Sequence, residues 1–399
     1  MQSTKTLIVV FLMLLFPFCE ILAQQETQAQ KMKKLVKENF EIAAAQYKIL
    51  MANTPSDKAP RSFKDGKWIT SSTDWWTSGF VPGSLWYIYE QTKDTAIKRL
   101  AEDRLKIQEP IKRYTGNHDI GFMIFCSFGN AYRITGDRKY KDVIDTAAEY
   151  QLVRFKPTIH SFQSWNTSNK YTCPAIIDNM MNLEQLCWVS KQSGNNKYID
   201  IAKDHANTTL KNHFRNDYSS YHVVDYDVAT GNVLKKVTHQ GLADSSAWAR
   251  GQAWGLYGFT VMYRFTKDEK YLQQANRIAN FILKHPHMPK DLIPYWDFDA
   301  PVTDTTYRDV SAGSIIASAL LELAKYNNAA TKAFYVSSAT KMLMNLSATN
   351  YRAKTGENGG YILKHSVGSL PHNSEVDVPL TYADYYFLEA LKRYKDWYL

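Results

Sequence analysis

Apolar residues along the chain fall into two kinds of stretch that alternate. In one kind they recur at spacings of four and three, as at Val143, Ala147 and Tyr150, and less cleanly at Ile201, His205 and Thr208. That spacing buries one face of a helix and leaves the other in water. The other kind is apolar nearly all round, as in Gly313–Ala324, and a helix apolar on every side belongs inside a larger structure. A short polar turn joins each apolar stretch to the amphipathic one after it. Tyr89–Asp94 leads to Thr95–Gln108, Tyr132–Asp137 to Lys139–Val153, and Val189–Asn195 to Lys197–Asn212. Tyr263–Asp268 leads to Lys270–Lys284, and Leu323–Asn328 to Ala330–Leu346. Gly and Asn in these turns admit the left-handed backbone that stops a helix.

The pattern predicts six inner helices over 78–91, 120–135, 178–193, 250–266, 310–326 and 381–394. Six outer helices are predicted over 31–52, 95–109, 138–153, 197–213, 269–284 and 331–347. Alternating hairpins of this kind close into two concentric layers, so the expected fold is all-α, an (α/α)6 barrel. An open solenoid is the rival, but solenoids keep regular periods and short loops. Here the connections 154–177, 214–249, 285–309 and 348–380 are long and irregular, and long ordered loops carry function. Tyr221–Tyr226 and Gly360–Leu363 are expected to form short strands there.

Residues 1–23 read as a signal peptide: Lys5 supplies the positive start, Leu7–Phe18 the apolar run, and Ala23 the last residue before a polar segment. The run is too short to span a bilayer, and Phe18 is large for the residue before a lipidated Cys19. The protein is therefore expected to be exported, to the periplasm, with residues 24–399 forming one catalytic domain. No other segment reads as a membrane span. Cys126 and Cys187 sit in apolar runs and, with Cys173, read as free thiols rather than a disulfide framework. No Cys/His spacing matches a zinc site, and neither a metal nor an organic cofactor is expected.

Composition sharpens the class of partner. The formal net charge of +9 suits an acidic partner, yet the basic residues are scattered, unlike the stripe that binds nucleic acid. Aromatic residues make up 14% of the chain, with 10 Trp and 26 Tyr, which points to sugar rings as readily as to a large core. The expected partner is an acidic oligosaccharide, and the protein is expected to act as a monomer.

Inner helices joined through outer ones all run the same way, so their N-termini meet at one rim beside the long loops. That rim carries Asp74–Phe80, Asn117–Gly121, Ile177–Met181, Trp248–Trp254, Arg308–Ser311 and Thr381–Asp384. Carboxylates, aromatics and Arg250 converge there, and helix N-termini favour an anion. Asp at a helix start is an ordinary N-cap, and capping or another structural role is the reading favoured for Asp309 and Asp384. Asp119 and Asp178 lead directly into apolar runs and are expected to point toward the barrel axis, where capping and catalysis both fit. Trp248 and Trp254 suit core or sugar platform equally, and Arg250 needs an anion that either the protein or a substrate can supply.

The segments Asp74–Gly83, Asn117–Phe122, Ile176–Asn182, His222–Asp227, Thr238–Gly241 and Asp244–Trp254, together with Arg308–Ser311 and Asp377–Leu391, resemble glycoside hydrolase family 88, the unsaturated glucuronyl hydrolases. The resemblance covers essentially the whole mature chain and carries the (α/α)6 barrel with it. It implies removal of a terminal 4,5-unsaturated uronic acid from a lyase-generated oligosaccharide. In that reaction C4 is protonated, water adds at C5, and the hemiketal opens. It also implies roles: Asp178 as the acid and then base, and Asp119 beside it. His222, Gln240, Trp248, Arg250 and Trp254 belong to the sugar pocket, with Trp76 and His118 lining it. Some relatives select sulfated substrates through a Ser- and Lys-bearing loop before the last inner helix. Here His365–Glu375 has serines but no lysine. The rival readings are an unsaturated rhamnogalacturonyl hydrolase of family 105, acting on pectin fragments, an ordinary inverting hydrolase using the same two aspartates, and a non-catalytic glycan-binding protein on the same scaffold.

Overall fold

The computed structural model describes residues 27–399; the leader read at residues 1–23 lies outside them. The outer helices are α1 (Gln28–Ala52), α3 (Thr95–Gln108), α5 (Arg138–Gln151), α7 (Asn196–Asn212), α9 (Glu269–Lys284) and α11 (Ala329–Leu346). The inner ones are α2 (Phe80–Thr92), α4 (Asn130–Thr135) with a π-helical segment, Gly121–Gly129, before it, α6 (Asn179–Ser193), α8 (Ala249–Thr266), α10 (Val310–Leu323) and α12 (Thr381–Tyr398). Neighbouring inner elements pack in sequence, and α12 packs back on α2. That contact closes the ring and rules out the open solenoid.

Turn chemistry explains the hairpins. Inner helices end on left-handed residues, Lys93, Gly136, Gly194 and Lys267. Outer helices then start on side-chain caps from Asp94, Asp137, Asn195, Asp268 and Asn328. Each cap satisfies backbone N–H groups that the first turn leaves free. Burial follows the pattern of apolar positions. Every residue of α10 is buried, whereas α9 buries one face through Tyr271, Ala275, Ile278, Ala279 and Ile282. On the axis, rings from four inner elements meet, with centroids 5.2 Å apart for Phe80–Phe122, 5.1 Å for Phe122–Trp254 and 5.6 Å for Trp254–Tyr386.

Strands decorate one rim. β1 (Ala59–Lys64) and β2 (Lys67–Ser71) form a hairpin, β3 (Phe155–Lys156) pairs with β4 (Ser161–Phe162), and β5 (Pro174–Ile176), β6 (Val223–Tyr226) and β7 (Val233–Val237) form a three-stranded sheet. A last hairpin joins β8 (Ser366–Ser369) to β9 (Ser374–Val378). The strand expected within Tyr221–Tyr226 is β6. The one expected at Gly360–Leu363 does not form, for two reasons. Gly359 and Gly360 have φ of 63° and 88°, and the Ile362 and Leu363 N–H groups donate to the Asp384 carboxylate, each at 2.9 Å. The first hairpin was not anticipated, although Asp65–Gly66 with φ of 50° and 75° is the two-residue turn that favours one.

The predicted helix over 120–135 opens on a π segment instead. Asn182 of α6 enters at this point: its side-chain oxygen accepts from the Phe122 N–H at 2.9 Å, and a Cβ on Gly121 would stand 2.7 Å from the Asn182 Cα. The wider turn therefore begins where another helix takes over a backbone donor, and π-bulges of this kind are frequent at functional sites.

Inner helices approach closely. A Cβ on Gly258 of α8 would lie 2.4 Å from the Met180 Cβ on α6 and 3.0 Å from its backbone. Gly258→Ala should therefore destabilise the barrel by about 1–3 kcal/mol, the usual cost of overpacking. A denaturation midpoint equal to that of the native chain would refute this tight α6–α8 contact.

Candidate active site

Asp178 immediately precedes α6, but its side chain makes no capping bond. Asp119 lies just before the π segment, and its backbone N–H donates to the Asn117 side chain at 3.1 Å. Both carboxyls line one cleft of about 380 Å³ at the inner-helix N-terminal rim. Each residue is 7% exposed. A larger cavity, about 590 Å³, opens at the opposite end of the barrel. Most of its charges are already matched, since Arg264 pairs with Glu184 and Glu322, and Arg393 with Glu322 and Glu389. The smaller cleft is the one with reactive groups.

Burial pushes the Asp178 carboxyl up to about 7, against the lowering influence of Arg250 and of the Trp254 indole. Burial, and then the neighbouring Asp178 charge, hold Asp119 well above the ordinary carboxylate range, while Asn182 opposes this by donating to Asp119 Oδ1 at 3.0 Å. Two desolvated acids side by side keep a proton at neutral pH.

The two histidines beside the acids, His118 and His222, are neutral. Burial lowers His118 to about 3; its Nδ1 sits 3.2 Å from Asp119 Oδ1. Burial also holds His222 well below its usual value. His222 Nδ1 accepts from the backbone N–H groups of His239 and Gln240, at 3.2 and 3.1 Å. The ring proton is therefore assigned to Nε2, which stands 3.7 Å from Asp178 Oδ2.

The expected site residues divide into two layers. Trp76, His118, Asp119, Asp178, Gln240 and Arg250 line the cleft. His222, Trp248 and Trp254 are buried behind that lining. Trp248 packs between His222, with ring centroids 4.5 Å apart, and the Arg250 guanidinium, 4.5 Å from its ring centroid. Trp254 is fully buried against Phe122. Arg250 finds its anion inside the protein: it donates to Asp309 at 3.0 Å, to the Val367 carbonyl, and to the Gly368 carbonyl at 2.6 Å. Gln240 donates to the same Gly368 carbonyl at 2.9 Å. Together they fix the β8–β9 hairpin as one wall. Asp309 caps α10 through the Ser311 N–H, as the capping reading expected. Asp384 is structural without being the cap, because it anchors the loop at Ile362 and Leu363.

Two cleft residues, Arg61 and Trp165, escaped the sequence reading, and Trp75, His372, Glu375 and Tyr382 stood in quoted segments without being assigned to the site. His239 stood inside a quoted motif without being singled out. Trp165 had a usable signal, a lone Trp in the polar run Gln163–Ser168. The others sit in loops or on a helix face with no periodicity to mark them.

Two outcomes follow from this geometry. Arg250→Ala leaves Asp309 buried without its cation and should cost about 3–5 kcal/mol of stability, so it should lower the denaturation midpoint as well as activity. A variant of native stability would show that the ion pair holds nothing in place. The second concerns pH. Asp178 has its folded pKa raised above the unfolded value, so its contribution is fully present below about 3.9 and is lost as pH rises through about 7. Asp178→Asn removes that titration. Its Tm relative to the native chain should therefore rise by a few degrees between pH 5 and pH 8. A Tm difference that stays flat over this range would contradict a raised carboxyl.

Comparison with known proteins agrees with this fold. The Glycosyl Hydrolase Family 88 profile matches residues 25–398. An unsaturated glucuronyl hydrolase from Formosa agariphila is 47% identical over 320 residues, covering 80% of this chain and 79% of the relative. An unsaturated chondroitin disaccharide hydrolase from Streptococcus pneumoniae is 34% identical, covering 85% of this chain and 87% of its own. The crystal structure of an unsaturated glucuronyl hydrolase specific for heparin superposes with a TM-score of 0.88 at 46% identity, covering 91% of this chain and 98% of the other. The barrel, the cleft and the family match over nearly the whole chain lead to one assignment: this chain belongs to glycoside hydrolase family 88 and is an enzyme.

Proposed function

We propose that this cleft hydrates the C4–C5 double bond of a terminal unsaturated uronic acid, with Asp178 as the group that gives and recovers the proton. The enzyme releases that unsaturated uronic acid from oligosaccharides. The substrate class is the product of polysaccharide lyases acting on acidic glycans. The relatives named for chondroitin and heparin make glycosaminoglycan fragments the first to assay. The leader read in residues 1–23 supports an exported, periplasmic enzyme.

The observation that carries the mechanism is the raised Asp178 carboxyl in a cleft shared with Asp119. The ring oxygen on C5 makes the double bond a vinyl ether. Protonated Asp178 donates to C4, and the positive charge that develops on C5 and the ring oxygen lies beside the carboxylate just formed. Water attacks C5 and returns its proton to that carboxylate. The hemiketal then opens and the aglycone leaves, so no proton is gained or lost by the enzyme. A carboxyl poised near 7 suits both halves of this cycle. An inverting hydrolase needs one of its two acids ionised as a base in the resting enzyme, whereas burial here raises both.

The remaining groups orient and tune. The His222 Nε2–H faces Asp178 Oδ2, where it steadies the carboxylate without adding charge. Asp119, held by Asn182 and itself kept protonated by burial and the neighbouring Asp178 charge, receives sugar hydroxyls. Trp76 offers a ring beside Tyr382, at 5.0 Å between centroids. Arg250, paired with Asp309, holds the β8 wall of the cleft, while Gln240 and His118 complete the lining.

Reaction in heavy water should place deuterium at C4, and labelled water should place its oxygen at C5. Absorbance of the conjugated double bond should fall as the reaction proceeds. Asp178→Asn should lower turnover by about 10²-fold or more, with the fold intact. Oxygen label at C1, or near-normal turnover by Asp178→Asn, would overturn the mechanism.

A further inference from the structure

Two arginines are buried among the described residues, Arg250 and Arg154, at 1% and 7% exposure. Arg250 has a carboxylate partner, Asp309. Arg154 bonds to none. It ends the 3₁₀ turn Leu152–Arg154 after α5, and every acceptor of its guanidinium is an uncharged oxygen. It donates to the carbonyls of Gln163 at 2.8 Å, Thr115 at 2.9 Å and Ser164 at 3.2 Å, and twice to the Asn166 side chain, at 3.2 and 3.3 Å. A buried cation without an anion is costly, so its placement calls for a reason.

Its bonds join the two segments that carry the acids. Thr115 belongs to the loop that leads into Asp119. The Ser164 hydroxyl accepts from the Ile176 N–H at 2.9 Å and from the Asn179 side chain at 2.7 Å, and those two residues flank Asp178. The Arg154 carbonyl completes the clamp by accepting from the Gln163 N–H at 2.9 Å. One side chain therefore ties the Asp119 loop to the segment around Asp178 without lining the cleft itself.

Charge follows the same route. Asp119 is faced by His118 of its own loop, by Asp178 and Asn182 of α6 and its start, and by Arg154. Burial and the Asp178 charge raise the Asp119 carboxyl, and Asn182 and Arg154 oppose them. Burial likewise loosens the proton of Arg154, and Asp119, then Cys173 and Tyr114, oppose that. Asp178 is faced by Arg250 and His222. Each buried arginine thus acts on one of the two cleft acids.

We propose that Arg154 is a positioning residue for the reaction: it clamps Asp119 against Asp178, and its unpaired charge acts on the Asp119 carboxyl. The inference rests on the reading of the two acids given above. Neighbouring acids titrate as a coupled pair, and a cation beside either one lowers the pH at which the pair gives up its proton. Neutralising Arg154 raises that pH.

The test is the pH profile of kcat/KM, which reports the acids of the free enzyme. Turnover of a lyase-derived unsaturated glycosaminoglycan disaccharide is followed by the fall in double-bond absorbance. Asn166→Asp gives the guanidinium a carboxylate at an exposed position and keeps the clamp. Its denaturation midpoint should equal or exceed that of the native chain, and its alkaline limb should move up by about half a pH unit or more. Asn169→Asp adds the same charge at an exposed position not bonded to Arg154, and its limb should stay in place. Arg154→Met removes clamp and charge together. It should lower kcat/KM about tenfold or more, with the limb again raised; if it does not fold, Asn166→Asp decides alone. A limb unmoved in folded Asn166→Asp, or moved equally in Asn169→Asp, reduces Arg154 to a structural support and overturns the inference alone, as does native kcat/KM in a folded Arg154→Met. A native enzyme whose kcat/KM does not fall as pH rises through about 7 overturns the reading of Asp178 itself, and this inference with it.

Discussion

The buried pairing of Arg250 with Asp309 ties the site to the barrel. Arg250 stands in the first turn of α8, Asp309 caps α10, and the same guanidinium holds two carbonyls of β8. Two inner helices and one cleft wall therefore share a single cation. Its plane also packs on Trp248, which packs on His222, which faces Asp178. A guanidinium suits this position because its flat fork serves several acceptors at once and its face stacks on aromatic rings. Taking such a pair out of water is expensive, and the added hydrogen bonds and ring contacts offset that expense.

Around this brace the protein keeps acids protonated that water would ionise. Asp178 and Asp309 both sit at the start of an inner helix, yet they behave differently. The Asp309 side chain turns back to the Ser311 N–H and meets Arg250, so its charge is matched on two sides. The Asp178 carboxyl makes no capping bond and faces the cleft. Arg250 lowers its pKa, but burial outweighs that influence. The same residue type at the same kind of position becomes a structural anion in one place and a proton donor in the other, according to what surrounds it.

The helices were legible in the chain because their causes are local. Capping residues such as Asp137 and Asn195, left-handed stops such as Gly136 and Gly194, and the contrast between all-apolar and one-sided stretches are written in consecutive residues. The Asp65–Gly66 turn was equally local and could have been used to find the first hairpin. The π segment could not be found that way, because Asn182 from another helix takes the Phe122 N–H.

The cleft divides along the same line. Asp119, Asp178, Trp76, His118 and Arg250 lie in short motifs on or beside helix starts, Gln240 lies in the loop between β7 and α8, and parallel inner helices bring those starts to one rim. By sequence alone, the order of helices and the polarity of their ends determined where a site would form, and the resemblance to the family motifs singled out Asp119 and Asp178 within it. Tertiary structure alone decided that His222, Trp248 and Trp254 stand behind the lining, that Arg250 is committed to Asp309, and that Trp165, His239 and His372 complete the cleft. The physical reason is range. Helix periodicity and capping act within a few residues, whereas desolvation and ring-to-ring packing depend on segments far apart in the chain and exist only once the barrel has closed.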